Sequence, residues 1–362
     1  MVSFKRYGEF VSRIISAKHP YLAYIGGFLG HHNLGDEALF DAAGSLFYKC
    51  SILKFPQKEW FTRVAKILPG IHCSILAGGT IINRLEGWRR LADKYFNIMP
   101  FSFVFGTGVA HPSFWSSREE WKNTLKDWKV VLEKCSYVGV RGPMSAQLLT
   151  DAGVGNVEVV GDPVLTFATN RPPENASYIP GSIGLNIGQA NGAMWGSEAN
   201  VLTEYVKLAM FARKAGWRVK WFVVWPADLE ITEKAAELSG TDRDIYKVYC
   251  DFKRYLELVR PLSVFVGLKL HAVALATSAY VPSVMVEYQP KCRDFMQSIG
   301  QDAMTVRTDK LKADEVWEIV STWNSSRQET SQALYHSIKP LWEIQRSKAK
   351  QLMDIIGTFS KV

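Results

Sequence analysis

Short apolar runs alternate with amphipathic stretches along most of the chain. In the first half the runs are YLAYIGG (21–27), SILKF (51–55), CSILAGG (73–79), FSFVFGTG (101–108), SYVGVR (136–141) and, closing that half, VEVVGDP (157–163). Apolar runs of this length, bounded by glycine and rich in Val, Ile and Phe, predict strands. Between them DEALFDAAGSLFYKC, KEWFTRVAKIL and REEWKNTLKDWKVVLEKC space their apolar residues as helices do. A segment rich in Pro, Asn and Ser, TNRPPENASYIPGS (169–182), reads as a linker. The alternation then restarts, with strands at SIGLNIG (182–188), WRVKWFVVW (217–225), SVFVG (263–267) and PSVMVEY (282–288).

Strands that are apolar throughout, separated by helices, indicate parallel sheets covered on both faces. Two such units give an α/β fold of two Rossmann-like domains, residues 1–174 and 175–362. Ligands of such sheets bind beyond the carboxyl ends of the strands, so the substrate is expected in a cleft between the domains. Residues 329–357 read as a long helix with Leu334, Ile338, Leu341, Trp342, Ala349, Leu352 and Ile356 on one face. It is expected to pack across the domains, kinked at Pro340.

Composition narrows the class. A length of 362 residues suits two domains better than one. Hydrophobic residues at 47% and charged residues at 22% exclude disorder, collagen and coiled-coil arrays as the main architecture. Lys and Arg number 43 against 35 Asp and Glu, a net charge of +8 that favours an anionic partner. Cys50, Cys73, Cys135, Cys250 and Cys292 are odd in number and far apart, which speaks against a disulfide framework or a CxxC zinc site and for a reducing, cytoplasmic compartment. No metal-ligand set is visible. The first twenty residues lack the apolar core of a signal segment. Phe4, Tyr7, Val11 and Ile14 predict a helix packed on the first domain, while Lys5, Arg6, Arg13 and Lys18 also suit a basic amphipathic helix on an anionic membrane. The most apolar stretch, 261–288, is interrupted by Lys269, His271 and Pro282, and so does not read as a membrane span. The basic residues are scattered and no nucleic-acid-binding motif is present.

Four motifs stand at predicted strand ends. In GGFLGHHNLGDEALFDAA (26–43), a strand ends in glycines and a helix opens near Asp36. Its GGxxG spacing, and the SILKF end of the following strand, lack the fingerprint and acid of a nicotinamide site. A tight turn with Asp36 as helix cap explains Gly35 and Asp36, but not Asn33, His31 and His32 crowded beside them. LAGGTIIN (76–83) places Gly78, Gly79 and Thr80 after a buried strand, and FGTG (105–108) repeats the device. Arg141, in VGVRGPMS, is set either to hold an anion bidentately or to pair with Asp162. Lys269 and His271 lie between a buried strand and an apolar helix, with Glu287 and Lys291 ending the next strand. A lone histidine in such a place is commonly a core residue; the clustering of titratable groups points instead to chemistry.

In order, these motifs resemble the polysaccharide pyruvyltransferase family over roughly residues 20 to 300. The family's N-x-G-D-E is Asn33-Leu34-Gly35-Asp36-Glu37, its V-R-x-x-x-S runs from Val140-Arg141 to Ser145, and its D-P is Asp162-Pro163. Its closing signature is similar to Lys269-Leu270-His271-Ala272, Val281-Pro282 and Tyr288-Gln289-Pro290-Lys291, with Lys269 where the family usually has Arg. Lysine can neutralise a phosphate but cannot clamp it bidentately.

The resemblance implies a GT-B-like pair of domains. It implies transfer of pyruvate from phosphoenolpyruvate to a sugar, free or lipid-linked, usually as a cyclic ketal. Phosphoenolpyruvate is the donor substrate and no cofactor is required. On this basis Arg141, Lys269, Leu270, His271, Glu287 and Lys291 are expected to bind the donor. Asn33, Asp36, Gly78, Gly79 and Thr80 are expected to bind the acceptor from the first domain. His271 is the expected general acid and Asp36 the base or hydroxyl anchor, with Arg141 as a further catalytic residue. Two other functions fit the same architecture: a nucleotide-sugar glycosyltransferase, and a non-catalytic scaffold held at the inner membrane face by the N-terminal helix and by Lys339, Arg346, Lys348 and Lys350.

Overall fold

The computed structural model describes residues 20–54, 71–114, 117–171 and 178–359. The expected N-terminal helix, the KEWFTRVAKIL helix and residues 172–177 of the expected linker lie outside them.

Two six-stranded parallel sheets organise the chain. The first contains β1 (Tyr21–Ile25), β2 (Ser51–Lys54), β3 (Ile71–Ala77), β4 (Phe101–Thr107), β5 (Tyr137–Val140) and β6 (Val157–Val159), in the order β2-β1-β3-β4-β5-β6. The second contains β7 (Ile179–Asn186), β8 (Arg218–Val223), β9 (Ile245–Lys247), β10 (Leu262–Gly267), β11 (Ser283–Glu287) and β12 (Thr305–Arg307), in the order β12-β11-β10-β7-β8-β9. β4, β10 and β11 are buried along their whole length, as strands covered on both faces must be. The pattern of apolar runs missed β9 and β12. Each is a three-residue edge strand, IYK and TVR, too short to make a run. The last residues of the expected linker, 179–182, are the start of β7.

By their contacts the residues fall into two compact units that are discontinuous in sequence. Of the described residues, those up to Gly27, within Phe40–Pro163 and from Ile344 onward form the first; those within Phe28–Leu39 and Val164–Glu343 form the second. The sequence pattern alone puts the boundary at 174/175, with residues 28–39 in the first domain. The helix Leu34–Leu46 explains the difference: Leu34, Ala38 and Leu39 are wholly buried in the second unit's core, and the Leu34 N–H donates to Val224 O at 3.0 Å. That core is built on Ile183, Leu185, Trp221, Phe222, Val264, Phe265 and Val284, all inaccessible. The first unit's core is built on Ala23, Leu76, Val104, Trp128 and Val140.

A 33-residue helix, Arg327–Phe359, runs without interruption through Pro340. Leu334, Ile338 and Leu341 enter the second unit's core. Further along, Gln345 Nε2 donates to Asp162 O at 2.7 Å, and Phe359 meets Phe101 with ring centroids 6.0 Å apart. The basic residues of this helix are partly spoken for. Lys348 pairs with Glu158 at 2.8 Å and lies over the Tyr137 ring, and Lys339 is 3.9 Å from Glu343. Among the described residues no helix is long and apolar enough to cross a membrane.

Candidate functional site

In the second sheet the strand order reverses between β7 and β10, and that reversal is where open α/β sheets open a crevice at their carboxyl ends. Asn186, the last residue of β7, is buried there and ties three strand ends together. Its Oδ1 accepts the Lys269 N–H (2.9 Å), its backbone O accepts the Leu268 N–H (2.9 Å), and its Nδ2 donates to Phe222 O (2.8 Å). The helix Leu270–Ser278 starts from this knot. Ala272 through Ser278 are all buried, so Lys269 at the helix cap and His271 in its first turn are the ionisable departures from an apolar element.

His271 is half-buried, and its ring lies directly on Gly35. A β-carbon at residue 35 would fall on the imidazole around Nδ1, which is why glycine stands in that motif. Two signatures far apart in sequence therefore interlock within the second unit. The loop carrying Gly35 is held by its own polar groups: Glu37 accepts the Gly30 N–H (2.6 Å), and Asn33 Oδ1 accepts the Gly35 N–H (3.0 Å). The Glu37 N–H bonds Asn33 O at 3.1 Å, so Asn33 caps this helix and Asp36, expected as the cap, stands inside its first turn. The Asp36 carboxylate accepts the Phe28 N–H and feels the charges of His271 and Lys291. Burial raises its pKa above the ordinary carboxylate value, and those hydrogen-bond and charge effects oppose the rise.

Lys269 is 16% exposed at its side chain and is already engaged. Its Nζ donates to Gln189 O at 2.7 Å, lies 3.1 Å from Asp228 Oδ1 and sits 5.1 Å from the Trp225 ring centre. Asp228, fully buried, is the residue that sequence reasoning missed; the available signal was an acid in the short turn Pro226–Asp228 just past the apolar strand β8. Burial raises its pKa and Lys269 opposes the rise. Glu287 is 2% exposed, and Arg293 donates to its Oε2 through Nε (3.0 Å) and Nη2 (2.8 Å). Lys291 lies over the Tyr288 ring at 4.7 Å.

The remaining candidates are in the first unit. Gly78 and Gly79, both at φ 62°, follow β3 in the left-handed region that glycine tolerates. Thr107 donates to Gly78 O (2.7 Å) and the Gly108 N–H to Gly79 O (2.7 Å). Arg141 is 1% exposed, with Nη1 and Nη2 each 3.5 Å from Thr80 Oγ1 and the guanidinium packed on Gly108, where a β-carbon would meet it.

The candidates therefore sort into two groups: Gly78, Gly79, Thr80 and Arg141 in the first unit, and Asn33, Asp36, Lys269, Leu270, His271, Glu287 and Lys291 in the second. Asn33 and Asp36, expected in the first domain with Gly78–Thr80, stand in the same unit as His271, because the apolar face of their helix packs into that unit's core. Among the described residues no three His, Cys, Asp or Glu side chains are grouped as a metal site would need.

Residues 33–290 match the family model for polysaccharide pyruvyl transferase, a span that opens on the Asn33 motif and closes just past Tyr288. No curated protein sequence matches the chain. Among solved structures, a glycosyltransferase from Rickettsia africae aligns at TM-score 0.57 and 9% identity, over 94% of this chain and 98% of that one. A UDP-GlcNAc 2-epimerase from Neisseria meningitidis aligns at 0.51 and 10%, over 90% and 99% respectively. An O-GlcNAc transferase mutant from Thermobaculum terrenum aligns at 0.51 and 12%, over 95% and 68% respectively. At these identities the likeness carries the fold, an α/β GT-B-like fold of two domains.

Proposed function

We propose that this chain, which belongs to the polysaccharide pyruvyl transferase family, transfers the pyruvyl group of phosphoenolpyruvate to a sugar, closing a ketal on two hydroxyls and releasing phosphate. The observation that carries the reading is the seating of His271 on Gly35 beside Asp36, an imidazole and a carboxylate brought together by two separate family motifs.

In this reading His271 protonates the methylene carbon of phosphoenolpyruvate, which makes C2 electrophilic. Asp36 takes the proton of the first sugar hydroxyl as its oxygen bonds to C2. A raised pKa makes Asp36 a stronger base than an ordinary carboxylate while it is ionised. The C2–O bond to phosphate then breaks, the second hydroxyl adds to C2, and its proton leaves with the phosphate. The proton taken by Asp36 passes back to His271 and the second hydroxyl's proton departs on the phosphate, so both residues are restored and the step balances.

Lys291 and the free face of Lys269 supply positive charge for the donor's phosphate and carboxylate. The burial of Arg141 against Thr80 and Gly108 supports a packing role in the first unit rather than a direct grip on substrate. Likewise Glu287, held by Arg293, supports the wall rather than the ligand. The acceptor is a sugar of a polysaccharide or of its lipid-linked precursor.

The test is phosphate release on mixing the chain with phosphoenolpyruvate and a panel of nitrophenyl and lipid-linked sugars, with mass spectrometry of the sugar product. Phosphate release with a sugar heavier by one pyruvate ketal is the expected result. A folded chain that releases none across the panel, or that is thermally stabilised by nucleoside diphosphates and not by phosphoenolpyruvate, would overturn the reading.

A further inference from the structure

The surroundings of Lys269 are built for lysine. An ammonium has three N–H donors. Gln189 O takes one at 2.7 Å and Asp228 Oδ1 a second at 3.1 Å, while the Trp225 ring supports the charge at 5.1 Å. Asp228 is itself fixed from both sides. Its Oδ1 also accepts the Gln189 N–H at 3.0 Å, and its backbone O accepts the Thr232 hydroxyl at 2.7 Å. Gly188 completes the fit, since a β-carbon there would run into Lys269 Cε and come within 2.7 Å of Asp228 Oδ1. Gln189, Asp228 and Lys269 follow the carboxyl ends of β7, β8 and β10, across the reversal of strand order.

A buried acid beside an anion-binding lysine is at first sight counterproductive, because it cancels charge that the donor needs. It makes sense if fixed geometry matters more than net charge. A lone lysine on a four-carbon stem is a mobile point charge, whereas arginine's planar fork comes pre-organised. We infer that Asp228 is the positioning residue of this site, holding the Lys269 ammonium so that its third N–H is presented to an anionic oxygen of the donor. This inference rests on the phosphoenolpyruvate reading above for the identity of the ligand, but not for the hold on Lys269.

The two ideas about Asp228 predict opposite signs. If the acid only cancels charge, Asp228→Asn tightens phosphoenolpyruvate binding. If it positions Lys269, the same variant weakens binding by about tenfold, the scale of one charge-assisted hydrogen bond. The closing experiment uses the full chain with Asp228→Asn, Lys269→Met and the double variant. Phosphoenolpyruvate affinity is measured by calorimetry, thermal midpoints serve as a check of folding, and the rate of amine acetylation at Lys269 is read by mass spectrometry.

The expected result is weaker binding in each single variant, a double variant no weaker than Lys269→Met, and at least about fivefold faster acetylation of Lys269 in Asp228→Asn. Non-additivity of this kind is what coupled neighbours show and independent structural damage does not. Tighter binding in Asp228→Asn, additive losses in the double variant, or an unchanged acetylation rate would each overturn the inference. A wild-type chain that does not bind phosphoenolpyruvate would overturn the donor assignment instead, and the acetylation rates would still decide whether Asp228 holds Lys269.

Discussion

The two units share an architecture of six parallel strands with helices between them, and each has a glycine pressed against a basic side chain. In the first, Gly108 underlies the guanidinium of Arg141; in the second, Gly35 underlies the imidazole of His271. The contexts differ. Arg141 is sealed among glycine turns and Thr80, while His271 is half-buried and shares its surroundings with Asp36 and Lys291. The first cation is buried against Thr80 and Gly108, and the second stands half-buried beside a carboxylate and a lysine. Architecture alone does not separate these two outcomes; the side chains at the strand ends do.

The largest effect that tests this contrast is expected from His271→Ala, which should lower the transfer rate by about 10²- to 10⁴-fold, the usual range for a general acid, with little change in thermal midpoint. A variant of near-normal rate would remove His271 from the chemistry and leave the second unit no more functional than the first.

Next come the paired glycines. Gly35→Ala and Gly108→Ala each force a β-carbon into a basic side chain, and each should cost about 1–3 kcal/mol in urea unfolding. They should part company in activity: Gly35→Ala loses most of its turnover because the imidazole is displaced, whereas Gly108→Ala keeps most of it. Equal losses of turnover would erase the distinction drawn between the two sites.

A smaller effect on stability is expected from Asp36→Asn. Burial raises the Asp36 pKa in the folded state, so the folded chain holds that proton to higher pH than the unfolded chain does. Stability from this group is therefore complete below the ordinary carboxylate value and is lost as pH rises through the raised one. Asp36→Asn should melt higher than wild type at neutral pH, and the gain should vanish in acid, while activity falls at every pH. A variant less stable at neutral pH would show that Asp36 is kept for folding. Smallest of all, Lys348→Ala breaks a half-exposed pair with Glu158 and should cost under about 1 kcal/mol, measured the same way.

Much of this was legible before any coordinates. Ten of the twelve strands announced themselves as apolar runs, because an inner parallel strand is buried on both faces and needs no alternation. His271, Lys269 and Asp36 stood out because ionisable residues are rare at the ends of such runs. Asp228 did not, although it lies in the same kind of place, because its partner Lys269 follows a different strand and only the fold brings them together. Asn33 was noticed for its chemistry and turned out also to cap a helix, one position before the helix begins. The allegiance of residues 28–39 was invisible for a related reason. Leu34, Ala38 and Leu39 make an apolar stripe that would suit either core, and nothing local says which one receives it.

The discontinuity of the first unit bears on how the chain is made. Gln345 and Phe359 belong with residues up to Pro163, yet they are synthesised only after the whole of 164–343. On a ribosome the second unit has its full complement of strands before the first has its last helical turns. A fragment cut after Pro163 would leave the partner faces of Asp162 and Phe101 uncovered. The order of completion thus runs opposite to the order of the sheets in the sequence.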